Sequence, residues 1–242
     1  MKTDIMGVLF DDFEVGQTVH KALDALKENK KFFIVTPNPE IVNLSISDSS
    51  YRAVLNSADV VTPDGIGIVY ASKILGGSIR KRAAGFDIVK GILSGLNDLG
   101  GSVYLFGGKP GVAKLAATEI IKEFQNIKIA GTHHGYFDDD EAIINDINVN
   151  NPDLLLVCLG APKQEMWINK NKSVLNAGIF IGAGGSIDVL AGKTKRAPEL
   201  FIKLNLEWLY RLIKEPKRVG RMAKIPVFLL KVLFKRRLKN ES

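Results

Sequence analysis

Asp64 is the residue of this 242-residue chain whose setting most suggests chemistry. An apolar run through Ala58, Val60 and Val61 breaks at Thr62-Pro63-Asp64-Gly65, and another begins at Ile66. That pattern predicts a buried strand, a tight turn bearing one carboxylate, and a helix. In an open α/β sheet such turns gather at the carboxyl edge of the strands, where ligands bind. Gly65 beside the carboxylate would let a substrate come close. A residue that only caps the following helix is the alternative.

Other polar groups stand at the ends of apolar runs in the same way. Thr36 closes the run at 32–36 and Asn38 follows it. Gly107, Gly108 and Lys109 begin the loop GGKPG after residues 102–106. His133 and His134 follow 127–131, and Gln164 and Glu165 follow 154–159. One polar turn means little, but several on a shared sheet edge predict a pocket. GGKPG is too short for a G-x-x-x-x-G-K-[ST] phosphate loop and lacks the G-x-G-x-x-G dinucleotide spacing. Exposed N–H groups at the next helix start could still hold a diphosphate; a plain strand–helix turn is the alternative.

Metal and nucleophile chemistry find little support. The run Asp138-Asp139-Asp140-Glu141 reads as an acid-rich, solvated helix start, because adjacent carboxylates point in alternating directions and acids suit helix N-termini. His133 and His134 lack a second-ligand spacing, and His20 falls on a surface helix. Cys158, the single cysteine, lies in the run LLLVCLG and reads as a buried strand residue. No G-x-S-x-G elbow is present.

These groups need elements to hold them. The hydrophobic pattern predicts strands at 32–36, 58–62, 102–106, 127–131, 154–159 and 178–182. Helices are predicted at 14–28, 40–46, 50–56, 66–75, 112–124 and 139–148. Two more run from an Asp87 N-cap to about 99 and from the Gln164 turn to about 175. Short apolar runs alternating with helices across glycine-rich turns indicate a Rossmann-like α/β fold. Its mostly parallel sheet of at least six strands is flanked by helices on both faces.

Pro198 and Pro216 bracket an amphipathic segment with Ile202, Leu206, Leu209 and Ile213 on one side. Beyond it come KRVGRMAK, IPVFLLKVLF and KRRLK. Residues 193–242 carry 15 Lys or Arg against 4 Asp or Glu, whereas residues 1–192 carry 18 against 22. A mildly acidic body with a basic tail points to an anionic surface or substrate. The expected division is an α/β catalytic core at 1–195 and a helical appendage at 196–242. The ten-residue apolar piece is too short to span a bilayer but could lie in the headgroup layer. A final helix docked on the protein or on a second subunit is the alternative. No basic-then-apolar leader starts the chain, so secretion is not expected.

Taken in order, several blocks resemble one family. They are TPNPEIV at 36–42, DGIGIV at 64–69, RAAGFD at 82–87, GGKPG at 107–111 and LGAPKQEMWI at 159–168. GAGGSIDVLAGKTKRAPE at 182–199 and LEWLYRLIKEPKRVGR at 206–221 complete the set. Together they resemble the bacterial WecG/TagA/CpsF glycosyltransferases over nearly the whole chain. The basic end resembles the membrane-directing segment of the teichoic acid enzymes in that family.

The resemblance implies inverting transfer of N-acetylmannosamine from UDP-ManNAc to GlcNAc-diphospho-undecaprenol, without cofactor or essential divalent metal. Related members use N-acetylmannosaminuronic acid or other sugars. It further implies that Asp64 is the base for the acceptor 4-hydroxyl, and that Thr36, Asn38 and Gln164 meet the sugar and its amide. Arg82 and Arg211 would stabilise the departing diphosphate, with Lys195 and Arg196 as further contacts. Gly65, Gly107, Gly108 and Lys109 would border the substrate. The expected partners are both substrates and an anionic membrane surface, with a homo-oligomer possible and no nucleic acid. The expected location is the cytoplasmic face of the cell membrane, where the appendage could complete the active site.

Overall fold

The computed structural model describes residues 2–214, 220 and 224–241. It opens with an element absent from the expectations above, a hairpin of β1 (Lys2–Ile5) and β2 (Val8–Asp11). Its two-residue turn places Met6 and Gly7 at φ 56° and 91°, the positive angles that match the twist of a tight hairpin. The strands bury Ile5, Val8 and Phe10 and leave Lys2, Asp4 and Leu9 outward. With one face exposed, these strands depend on alternation to be legible, and four residues show too little of it.

The remaining strands form one sheet. They are β3 (Phe32–Val35), β4 (Val60–Val61), β5 (Ser102–Gly107), β6 (Lys128–His133), β7 (Leu154–Cys158) and β8 (Ile179–Gly182). Their order is β4-β3-β8-β7-β5-β6, and every pairing is parallel. Side chains alternate between two cores. Val103 and Leu105 of β5 face one side with Leu154 and Leu156 of β7, while Tyr104, Phe106, Leu155 and Val157 face the other. Each such buried side chain contributes about 1.5–3 kcal/mol, so a one-residue register slip is strongly disfavoured.

One face is covered by α1 (Val15–Lys27), α5 (Gly85–Leu99), α6 (Val112–Glu123) and the short α9 (Ser186–Leu190). The other carries α2 (Pro39–Ser47), α3 (Ser49–Asn56), α4 (Ile66–Leu75), α7 (Glu141–Asn150), α8 (Lys163–Asn171) and the hairpin. Helix α5 corrects one expectation: it starts at Gly85, with Ala84 rather than Asp87 at the N-cap. Glycine lets the helix begin against Thr36, and Asp87 stays in the first turn, where the exposed N–H groups favour an acid. Asp140 also differs from a solvated start. Its Oδ2 accepts from Trp167 Nε1 at 2.9 Å and from Asn171 Nδ2 at 3.3 Å, tying α7 to α8.

The edge strand β4 is only two residues long, and side-chain carboxylates extend its bonding. Asp11 from the hairpin accepts the Val61 N–H at 3.0 Å, and Asp59 accepts the Phe33 N–H at 2.8 Å. Covering a sheet edge this way removes an open pairing site and fixes the turn that follows. That turn carries Asp64.

Past residue 195 the chain forms α10 (Glu199–Lys203), α11 (Glu207–Lys214) and a long α12 (Lys224–Glu241). The expected single amphipathic stripe breaks at Leu204-Asn205-Leu206, with Asn205 at φ 59°. Pro216 lies outside the described residues. Helix α12 packs on α4 and α2 through the buried Phe228 and Val232. Its opposite face leaves Val227, Leu230, Leu233 and Phe234 exposed. Among the described residues no helix is long and apolar enough to cross a membrane.

Candidate active site

The carboxyl ends of the six parallel strands share one edge, so most of the expected site residues gather there. Three loops interlock at the β3–β4 end. The Asp64 N–H donates to the Pro37 carbonyl at 3.2 Å, and the Ala83 N–H donates to the Pro63 carbonyl at 2.8 Å. These bonds set the Asp64 turn between Thr36-Pro37-Asn38 and Arg82-Ala83. Thr36 is buried, and a Cβ added at Gly85 would lie 2.8 Å from its Oγ1. The first turn of α5 therefore packs directly on Thr36. Asn38 accepts the Glu40 and Ile41 N–H groups at 3.0 and 3.1 Å, so it N-caps α2 from the rim of the site.

Charge is dense at this end. Arg82 donates to Glu207 of α11 at 3.1 Å, with only 13% and 10% of the two side chains exposed. Arg196 meets both carboxylate oxygens of Asp87, at 2.6 and 2.8 Å, and lies over the Phe86 ring. Burial alone would lower the Arg196 guanidinium. The Asp87 bonds and the charges of Asp87, Glu207 and Asp64 instead hold it above its ordinary value. Asp64 is thus electrically in contact with a cluster built partly from residues past 195. Lys195 is exposed, and the side chain of Arg211 lies outside the described residues.

The β5–β7 end is made differently. After β5 the chain moves outward to β6, and after β7 it moves the opposite way to β8, which opens a crevice between β5 and β7. A cavity of about 740 Å³ lies there, lined by Gly108, Lys109, Gly135, Leu159, Lys163 and Asp188 among others. Gly107, at φ 136°, fits only as glycine: an added Cβ would overlap the Cys158 carbonyl. The Gly108 N–H donates to that carbonyl at 3.2 Å, and the Gly108 carbonyl accepts from Gly135 at 2.8 Å. The GGKPG loop therefore uses its Gly108 N–H internally, while exposed Lys109 borders the cavity. Cys158 is buried as expected, and burial pushes its thiol up to about 12.

Between the two ends lies Gln164, only 3% exposed. Its Oε1 accepts from Gly160 and Gly184 at 3.1 and 2.9 Å, and its Nε2 donates to Glu165 at 2.7 Å. His133 closes β6, with its Nδ1 2.8 Å from the His134 carbonyl. Among the described residues no group of three or more His, Cys, Asp or Glu is arranged to hold a metal ion.

Sequence reasoning missed Glu207, gave Asp87 only a capping task, counted Glu165 only among the polar groups of the expected pocket, and assigned no role to Tyr51. An acid inside a basic tail was the available signal for Glu207.

The glycosyl transferase WecG/TagA/CpsF family matches residues 3–242. The chain belongs to this family. The match runs through α10–α12 as well as the sheet, so the appendage is part of what the family shares. Among relatives, the chain is 38% identical to a protein of Bacillus spizizenii named N-acetylglucosaminyldiphosphoundecaprenol N-acetyl-beta-D-mannosaminyltransferase, covering 93% of this chain and 88% of that one. A Staphylococcus aureus protein of the same name is 37% identical, covering 99% of this chain and 95% of its own length.

Proposed function

We propose that the chain is an inverting glycosyltransferase that moves N-acetylmannosamine from UDP-ManNAc to GlcNAc-diphospho-undecaprenol, forming a β-1,4-linked disaccharide lipid. One observation carries this reading. The interlocked Asp64, Thr36–Asn38 and Arg82 loops share a rim with a ligand-sized cavity at the sheet's topological switch point. The names of the relatives supply the substrates.

Neighbouring strands are about 4.8 Å apart, so the rim from the β5–β7 crevice to β3 and β4 spans roughly 10–20 Å. An elongated nucleotide sugar fits across it, with the nucleoside in the cavity and the sugar toward Asp64. Asp64 takes the proton of the acceptor 4-hydroxyl as that oxygen attacks the anomeric carbon. The bond from this carbon to the diphosphate oxygen breaks, and its electron pair leaves with UDP. Attack opposite the departing group inverts the anomeric centre.

Thr36, Asn38 and Gln164 border the sugar, with Gly65 giving close backbone approach. Arg82 neutralises the charge that builds on the diphosphate, joined by Arg196, Lys195 and Arg211, while Lys109 meets it from the cavity side. Cations in these places replace a metal, and no step requires one. Because Arg82 already holds Glu207, arrival of the diphosphate must loosen or share that contact.

The exposed Val227, Leu230, Leu233 and Phe234, with Lys231, Lys235, Arg236 and Arg237 on the same helix, support peripheral docking on an anionic membrane face. Docking there brings the enzyme to its polyprenyl-linked acceptor. Self-association of the same apolar face into a homo-oligomer is the competing use of it.

The test is an assay of purified protein with several UDP-sugars and the lipid-diphosphate GlcNAc acceptor, with and without chelator. Acceptor-dependent UDP release with UDP-ManNAc, a product mass one N-acetylhexosamine larger, and indifference to chelator are expected. Release of UDP only with a different sugar would replace the donor assignment.

A further inference from the structure

Gln164 sits where two glycine turns meet, at the ends of the adjacent central strands β7 and β8. Its carboxamide has nearly the same shape either way round, so its partners decide which end faces where. Those partners leave one answer. The Gly160 and Gly184 N–H groups, at 3.1 and 2.9 Å, can only donate, so they require the amide oxygen. Glu165 Oε1, 2.7 Å from the other end, accepts and thereby requires Nε2.

Glu165 is itself braced from a third element. Its Oε2 accepts from the Tyr51 hydroxyl of α3 at 3.0 Å, and Tyr51 and Glu165 are each 1% exposed. Burial pushes the Glu165 carboxyl above its ordinary value, and the hydrogen bonds from Gln164 and Tyr51 oppose that rise. The polarity of the chain does not depend on the outcome. A proton on Oε2 would be donated to the Tyr51 oxygen, leaving Oε1 to accept from Gln164. Gln164 also packs closely against the end of β8: a Cβ added at Gly182 would lie 3.0 Å from its Nε2.

We propose that Glu165, braced by Tyr51, is a positioning residue that fixes the Gln164 amide and through it the two glycine turns bordering the sugar. It touches neither substrate; it acts through Gln164. An apolar side chain at 165 would leave Nε2 buried without its acceptor, a loss the site can relieve only by turning the amide and releasing Gly160 and Gly184. Gln at 165 would restore the pattern, with its oxygen toward Gln164 and its NH₂ toward the Tyr51 oxygen.

This inference rests on the proposed place of Gln164 in the site, and a double-mutant cycle separates the two. Turnover of lipid acceptor is measured for Glu165→Met, Glu165→Gln, Gln164→Met and the Gln164→Met/Glu165→Met pair. Expected results are a fall in kcat of about tenfold or more for Glu165→Met with donor KM within about threefold, and recovery to near wild type for Glu165→Gln. The pair should be no slower than Gln164→Met alone, because the second change then has nothing left to act through.

Wild-type turnover by Gln164→Met would remove Gln164 from the site and the inference with it. An impaired Gln164→Met with multiplicative loss in the pair, or no rescue by Glu165→Gln, would overturn the positioning role alone. Should Glu165→Met fail to fold, Tyr51→Phe in the wild-type and Gln164→Met backgrounds makes the same comparison. A loss confined to the wild-type background supports the role, and equal losses or none in either overturn it.

Discussion

The two ends of the sheet's rim reach the same edge by opposite means. At the β3–β4 end, side chains dominate: Arg82, Arg196, Asp87 and Glu207 form a packed charge cluster around the Asp64 turn, partly supplied from past residue 195. At the β5–β7 end, backbone dominates: Gly107, Gly108 and Gly135 draw the loops tightly together and leave a cavity open beside them. The difference fits the two tasks proposed for these ends. Moving a proton and receiving a developing negative charge needs placed charge, whereas admitting a flat nucleoside needs space and close backbone approach.

The contrast predicts that the charged end can lose its chemistry without losing its structure. Asp64→Asn keeps size and hydrogen-bonding reach but removes the proposed base. A fall in kcat of about 10²–10⁴ is expected, with UDP binding and the melting temperature little changed. Turnover near wild type from a folded variant would end the assignment of Asp64.

At the cavity end the order should reverse, with structure lost first. Gly107→Ala would set a methyl group into the Cys158 backbone at a positive φ, and a loss of more than about 2 kcal/mol in denaturant unfolding is expected. A Gly107→Ala protein as stable as wild type would mean that the tight backbone approach does not govern this end.

A finer test concerns the Glu207–Arg82 pair. Glu207→Gln leaves a largely buried guanidinium without its full counter-charge, which should lower the melting temperature of the ligand-free protein. Saturating UDP should then raise that temperature by more than it does in wild type, because the diphosphate supplies the missing anion. Equal shifts in the two proteins would show that Arg82 does not exchange one anion for the other.

The smallest effect on the rim should come from outside it. Phe234→Glu on the exposed face of α12 is expected to reduce flotation with anionic vesicles while leaving the melting temperature within about 2 °C of wild type. Unchanged vesicle binding with a loss of self-association would assign this face to a second copy instead. Cys158 offers a control for integrity of the cavity end. With its thiol held up to about 12, it should resist alkylation at pH 8–9 until the protein unfolds.

Local pattern was enough to read the six sheet strands, most helices and the turns bearing Thr36, Asn38, Asp64, Arg82 and Gln164, because apolar periodicity and glycine punctuation are written in neighbouring residues. The buried setting of Cys158 was legible for the same reason. The β1–β2 hairpin was not: β3 and β8 are as short but continuously apolar, whereas the half-exposed hairpin depends on an alternation that four residues show too briefly, and its Asp11 reaches the sheet through a bond to Val61 fifty residues away. The helix start at Gly85 was misplaced to Asp87 because good local capping chemistry yields to the packing of Gly85 on Thr36.

Neighbouring residues are thus enough to set the alternation of strands and helices and to name the polar groups that must arrive at one edge of a parallel sheet. Tertiary structure alone decided the strand order that opens the crevice between β5 and β7, the pairing of Arg82 with Glu207 and Arg196 with Asp87, and the Tyr51–Glu165–Gln164 chain. Those contacts join residues up to 125 positions apart, and their energy depends on burial and distance after folding. No local pattern encodes either quantity.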